Sequence, residues 1–256
     1  MSSQATINIV VTGNPPFLNY SYNTSQLVRD ALPDVIKREN KKDIRILKYF
    51  RDTLDTFEDV RSVSNNIWSG KRSFFLPESQ LGDNEEFINI DAILHLGMIA
   101  LGWDSNQFRF ETVARRDGYI RTPGADGKHV NSGHLKSLGL PETLSTSFDV
   151  ETACRKVQER YPVSGQGDLY QRVVSGTTYH IDNSQNVKSS VSDDAGLYYC
   201  EFRLYSSLAE AFMREDLSEK RGRVLFEHLP QAHDAKDIEL ARDITVTYIT
   251  SIADEL

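Results

Sequence analysis

The chain is poor in cysteine, in basic runs and in long apolar runs, and each shortage removes a class of function. Cys154 and Cys200 are the two cysteines in 256 residues. Two thiols cannot staple a small secreted scaffold, and such sparse usage fits a reducing cytosol. The formal charge of −8 comes without any block of Lys and Arg. That argues against nucleic acid or an anionic membrane surface as the main partner. No apolar run approaches the ~20 residues of a membrane-crossing helix. The opening Met1-Ser-Ser-Gln-Ala-Thr6 lacks the charged and apolar regions of a signal peptide. The expectation is a cytoplasmic protein. The closing Ala253-Asp-Glu-Leu256 superficially resembles an endoplasmic-reticulum retrieval signal, and without a signal peptide it reads as chance.

With 39% hydrophobic and 26% charged residues, the chain has the composition of an ordinary globular protein. Its length suits one large domain spanning 1–256. Thr6 to Thr12 is an almost continuous β-branched run, the pattern of a strand buried on both faces. Gly13 ends it, and Pro15-Pro16 forces an extended loop. Asn23, Thr24 and Ser25 are cap candidates for a helix with Leu27, Val28, Ala31 and Leu32 on its apolar side. Strand, tight loop and helix point to an α/β fold, whose sites gather at the carboxyl ends of the strands. The glycine spacing after Gly13 fits neither nucleotide-binding fingerprint.

Further strands are expected at Asp43–Tyr49, Ile88–Leu96 and Val187–Val191, and a helix at Thr53–Trp68. Segments 69–87 and 162–186 read as insertions, the second with the pattern of an added hairpin. The region from Asp117 to Ser147 reads as a long loop. Phe148 to Tyr161 is an amphipathic helix whose apolar stripe includes Cys154, so that thiol reads as core. A closing helix carries Ile238, Ala241, Thr245, Tyr248 and Ile252 at helical spacing. His129 and His134 have no cysteine nearby and no His-Glu-x-x-His pattern, so no metal is expected.

Three segments carry chemistry. In Val191-Ser-Asp-Asp-Ala-Gly-Leu-Tyr-Tyr-Cys200, a Ser and two Asp precede a small pair and an apolar run. Ser192 and the aspartates suit a helix start, which would hold Cys200 near free backbone N–H groups that favour a thiolate nucleophile. Taken alone, the stretch favours the reading of Cys200 as a small hydrophobe in a core. Gly222 to Pro230 reads as a buried strand ending at His228. Phe108 to Ala114 puts Glu111 inside an alternation, with Arg109, Glu111 and Val113 on one face and Phe108, Phe110 and Thr112 on the other. Thiol, imidazole and carboxylate are the parts of a cysteine-hydrolase triad. His95 reads first as a strand histidine satisfied by hydrogen bonds. His180 is a rival base by composition.

Together these segments resemble the pyroglutamyl-peptidase I family of intracellular cysteine peptidases. Val11-Thr-Gly-Asn-Pro-Pro-Phe17 and Asn23-Thr-Ser25 are similar to the family's V-T-G-F-x-P-F and N-x-S. His95-Leu-Gly97 resembles its H-x-G, and Phe110-Glu111-Thr-Val-Ala114 its glutamate segment. Ser192-x-x-Ala195-Gly196-x-Tyr198-x-Cys200 matches S-x-x-A-G-x-[FY]-x-C. Val224-x-x-x-His228-x-Pro230 resembles F-[IV]-H-x-P. They occur in the family's order and run from one end of the chain to the other.

The resemblance implies a single-domain three-layer α/β/α sandwich with a mixed central sheet. It implies a cysteine exopeptidase that removes N-terminal pyroglutamate from peptides, with Cys200 as nucleophile, His228 as base and Glu111 as orienter. No cofactor is required, and the family contains both monomers and homotetramers. Phe17 and Tyr198 match positions that line the substrate pocket, and Met98 stands at the strand end that leads to its floor. Asn14 departs from the family, which places Phe there. The exchange removes an aromatic wall and adds an amide needing partners, so an altered N-terminal preference, or a binding protein on the same scaffold, is the alternative. Glu227 replaces the family's Ile or Val beside the histidine, with its side chain expected opposite that of His228.

Overall fold

The computed structural model describes residues 6–17, 19–76, 86–99, 104–120, 123–162, 170–174, 177–181 and 187–256. The first half runs β1 (Ile7–Thr12), α1 (Thr24–Ala31), β2 (Val35–Ile36), β3 (Ile44–Tyr49), α2 (Phe57–Ser69), β4 (Phe75–Leu76) and β5 (Ala92–Met98). Then follow β6 (Gln107–Glu111), β7 (Val113–Arg115), α3 (Ser132–Ser137), β8 (Thr143–Ser145) and α4 (Val150–Arg160). The last third holds β9 (Tyr170–Val174), β10 (Thr177–Ile181), β11 (Lys188–Ser192), α5 (Tyr199–Met213), β12 (Val224–Leu229) and α6 (Ala235–Ile252).

An eight-stranded sheet of order β11-β6-β12-β5-β1-β3-β2, with β4 also on β3, forms the middle layer. Its centre, β12-β5-β1-β3, is parallel. β6 runs antiparallel to β12 and parallel to β11, and β2 and β4 run antiparallel to β3. The sheet is therefore mixed. The β-branched run of β1 sits at its centre with Val10 and Val11 fully buried, one toward each face. That double burial is why the run lacks polar alternation.

Helices cover both faces. α2 and α5 pack on the side of Val10, Ile93 and Phe226, while α1, α4 and α6 pack on the side of Val11, Leu94 and Phe110. Local chemistry sets their starts. Asn23 Oδ1 accepts from Ser25 N at the head of α1, Thr56 Oγ1 from Asp59 N at α2, and Asp149 Oδ1 from Thr152 N at α4. Each such cap is worth about 1 kcal/mol. α2 stops at Gly70, whose φ of 68° is left-handed. Gly13 lets the chain pass under α1, since a Cβ there would stand 2.9 Å from Ser25 O.

Some expectations need revision. The region 117–147 is not simply a loop, because it contains α3 and a strand, β8, that pairs antiparallel with β7. Within 69–87, Lys71 bridges to Phe87 and β4 joins the sheet edge. Residues 77–85 of that insertion lie outside the described residues, as does much of 162–186. The described part of the latter is a two-stranded antiparallel hairpin of β9 and β10. The side chain of His180 lies outside the described residues. No described helix is long and apolar enough to cross a membrane.

Candidate active site

Cys200 stands in the first turn of α5, at the carboxyl end of the parallel strands. The helix begins later than Ser192 and the aspartates suggest. Its N-cap is Tyr198, without a side-chain cap, and Ser192 still belongs to β11. The Ser192 hydroxyl instead accepts from Asp194 N at 3.1 Å. Between strand and helix the backbone turns sharply, with positive φ at Gly196 and at Leu197, a non-glycine residue at 54°. A buried carboxylate holds this turn. Glu201 Oε2 accepts from Leu197 N at 2.7 Å, and Oε1 accepts from Arg115 N and Nε at 2.9 and 2.7 Å. Arg115 also pairs with Asp194 at 2.5 Å.

The glycine of His95-Leu-Gly97 makes room for the thiol. A Cβ on Gly97 would meet Cys200 Sγ at 3.2 Å and the Phe226 ring at 2.7 Å. On the next strand, His228 pairs in register with Gly97 and is 2% exposed. Its Nδ1 lies 2.9 Å from Glu111 Oε1, and the Cys200 thiol is near enough to act on the ring. Glu111 is fully buried and reaches His228 from the antiparallel neighbour, where it faces Phe226. Strand alternation puts Arg109, Glu111, Phe226 and His228 on the α5 face. Burial pulls the imidazole down, but hydrogen bonds to Cys200 and Glu111 outweigh it and push it up to about 9. Thiol, imidazole and carboxylate thus come together from three separated segments, the last two joined by a hydrogen bond.

Other polar groups tie these residues to the scaffold. His95 is satisfied as expected: Nδ1 meets Thr12 Oγ1 at 2.7 Å and Nε2 meets Ser207 Oγ at 2.8 Å. Burial, with Arg203 adding to it, drives the His95 ring down to about 3, so it is neutral. Ser207 continues to Ser64 at 2.9 Å, which links β1, β5, α5 and α2 behind Cys200. Arg203, one turn beyond Cys200, is buried, donates to Thr53 O at 2.9 Å and pairs with Asp55. Neither Arg203 nor Glu201 stood out in the sequence. Their signal was a pair of charges in the first turns of a helix that is otherwise rich in apolar residues.

The remaining candidates occupy different settings. Asn14 is 5% exposed, its N–H donates to Ser25 Oγ at 3.0 Å, and its Oδ1 has no partner. Phe17 is half-buried and packs on Tyr20, with ring centroids 5.8 Å apart. Tyr198, the N-cap of α5, is exposed. Met98 is buried on β5 and alternates with Gly97, which puts it on the strand's other face from Cys200. Cys154 is buried on α4 in the opposite core, as its stripe predicted. Glu227 is fully buried beneath α6, on the other side of β12 from His228.

No protein-family model matches the chain, and no curated relative matches it. Solved structures do. A mutant pyrrolidone carboxyl peptidase from the hyperthermophile Pyrococcus furiosus superposes with a TM-score of 0.60 at 17% identity, covering 98% of this chain and 100% of that one. Another mutant of the same protein gives 0.61 at 16% identity over 98% and 100%. The pyrrolidone carboxyl peptidase of the keratin-degrading bacterium Fervidobacterium islandicum AW-1 gives 0.59 at 15%, over 97% and 99%. At these identities the likeness establishes the fold, a three-layer α/β/α sandwich shared over nearly the whole chain.

Proposed function

We propose that this protein is a cysteine exopeptidase that cleaves the bond after an N-terminal pyroglutamyl residue. The observation that carries the reading is the partly buried Cys200 beside the buried pair of His228 and Glu111. The three fall in segments similar to that family's motifs, on the fold of pyrrolidone carboxyl peptidases. Glu111 holds Nδ1 of His228, which leaves Nε2 for the thiol proton. Cys200 Sγ attacks the pyroglutamyl carbonyl while His228 holds that proton. Free N–H groups at the start of α5 stabilise the oxyanion. When the tetrahedral species collapses, the C–N bond breaks and His228 returns the proton to the leaving amine. Water, with His228 as base, then hydrolyses the thioester to free pyroglutamate and regenerates the thiol.

A second reading, hydrolysis with a different preference for the N-terminal residue, is favoured by Asn14. A buried amide oxygen without a partner is a costly group to place where the resembled family has an aromatic wall. The test is product analysis on matched peptides beginning with pyroglutamate, glutamine or proline. Release of free pyroglutamate from the first alone supports the leading reading. Cleavage of another peptide instead would replace it with the second.

A further inference from the structure

Arg109 sits two residues before Glu111 and shares its face of β6. Its Nε donates to Glu111 Oε1 at 3.2 Å, the same oxygen that His228 Nδ1 contacts at 2.9 Å. Its Nη2 donates to Ser192 Oγ and to the Asp194 carbonyl, both at 2.6 Å. One guanidinium therefore joins the carboxylate that orients the histidine to the segment that delivers the cysteine. The two anchor points belong to parallel neighbours in register, since Ser192 pairs with Glu111. The Arg109 side chain is 16% exposed and that of Glu111 is 0%, so the contact is little screened by solvent.

We propose that Arg109 is a positioning residue for this site. It fixes the Glu111 carboxylate against His228 and locks the Ser192–Asp194 segment in the register that brings Cys200 to the imidazole. This rests on the reading of Cys200, His228 and Glu111 as the reacting line. The charged and titratable groups facing that line are Cys200 and Glu201 from α5, Asp194 from the preceding turn, Arg115 from β7 and His95 from β5. Glu227 and Tyr248 lie in the layer beneath. Arg115 is committed to Asp194 and Glu201, so Arg109 is the cation in contact with Glu111. A Lys could supply the charge but not the planar fork that spans two segments.

The experiment compares wild type, Arg109→Gln and Arg109→Lys by two readouts. One is the pH dependence of Cys200 alkylation by iodoacetamide in a Cys154→Ala background. The other is kcat and KM on a pyroglutamyl amide. Arg109→Gln should move the acid limb of alkylation up by about one pH unit, because a Glu111 carboxylate no longer held against His228 supports the charged ring less well. It should lower kcat by roughly 10- to 100-fold with KM nearly unchanged, because Arg109 touches no reacting atom. Arg109→Lys should restore the acid limb while leaving part of the kcat loss. An unmoved limb in folded Arg109→Gln overturns the proposal. If that variant does not fold, an Arg109→Lys enzyme with full wild-type kcat overturns it instead. Absence of pyroglutamyl hydrolysis in wild type would sink the proposed function, yet the alkylation profile would still decide the role of Arg109.

Discussion

His228 and Glu111 meet at 2.9 Å across an antiparallel strand pair, both side chains buried. The pair turns a strand histidine into a proton acceptor of defined orientation, and it sets how the site responds to pH. The imidazole is raised from 6.5 to about 9. A group raised by folding contributes stability that is fully present below its unfolded value. Here that stability is lost as pH rises from about 6.5 through about 9. In Glu111→Gln the His228 titration, followed by NMR of the ring protons, should move down toward 6.5, and kcat should fall by on the order of 10³. An unchanged titration would show that Glu111 does not govern the ring.

Glu227 provides a second pH dependence from the other side of the same strand. Burial pushes its carboxyl up from 4.5 to about 8, with the Thr245 hydroxyl pulling the other way, and neither carboxyl oxygen meets hydrogen-bond geometry. This group too is raised, so stability falls as pH climbs from about 4.5 to about 8. The loss is at most ~5 kcal/mol, at about 1.4 kcal/mol per pH unit. Glu227→Gln should be more stable than wild type in urea at pH 9 and nearly equal at pH 5. Equal stability at both would mean that the carboxyl finds water or a partner.

Gly97 should tolerate no side chain. Gly97→Ala would press a methyl to 2.7 Å from the Phe226 ring and 3.2 Å from Cys200 Sγ. Overpacking of this kind costs about 1–3 kcal/mol, and displacement of the thiol should lower kcat more than it lowers thermal stability. Full activity in the variant would show that the thiol does not rest on β5.

Asn14→Phe tests the substrate pocket. If Asn14 occupies the place of an aromatic wall, the exchange should raise kcat/KM on pyroglutamyl substrates by roughly 10-fold or more, and it removes a buried amide oxygen without a partner. No gain would place ring recognition on other residues.

Much of this was legible in the sequence. The β-branched run of β1, the stripe that buries Cys154, the alternation around Glu111 and the orientation of Glu227 follow from period and burial alone. The order of the motif segments brought Cys200, His228 and Glu111 onto one fold. What failed or was missed depended on partners distant in the chain. Ser192 looked like a helix cap because its neighbours are acidic, yet β11 continues through it to pair with Glu111, and α5 starts at Tyr199. Arg109 was visible on the face of Glu111, but its anchors at Ser192 and Asp194 lie on another strand. Residues 117–147 read as a loop because β8 is short and takes its hydrogen bonds from β7.

The most direct test of the central claim is release of a fluorescent amine from a pyroglutamyl amide by wild type, Cys200→Ala and Cys154→Ala. Activity abolished in Cys200→Ala and retained in Cys154→Ala is the predicted result. Hydrolysis that survives in Cys200→Ala, or a folded wild type with none, would contradict the account.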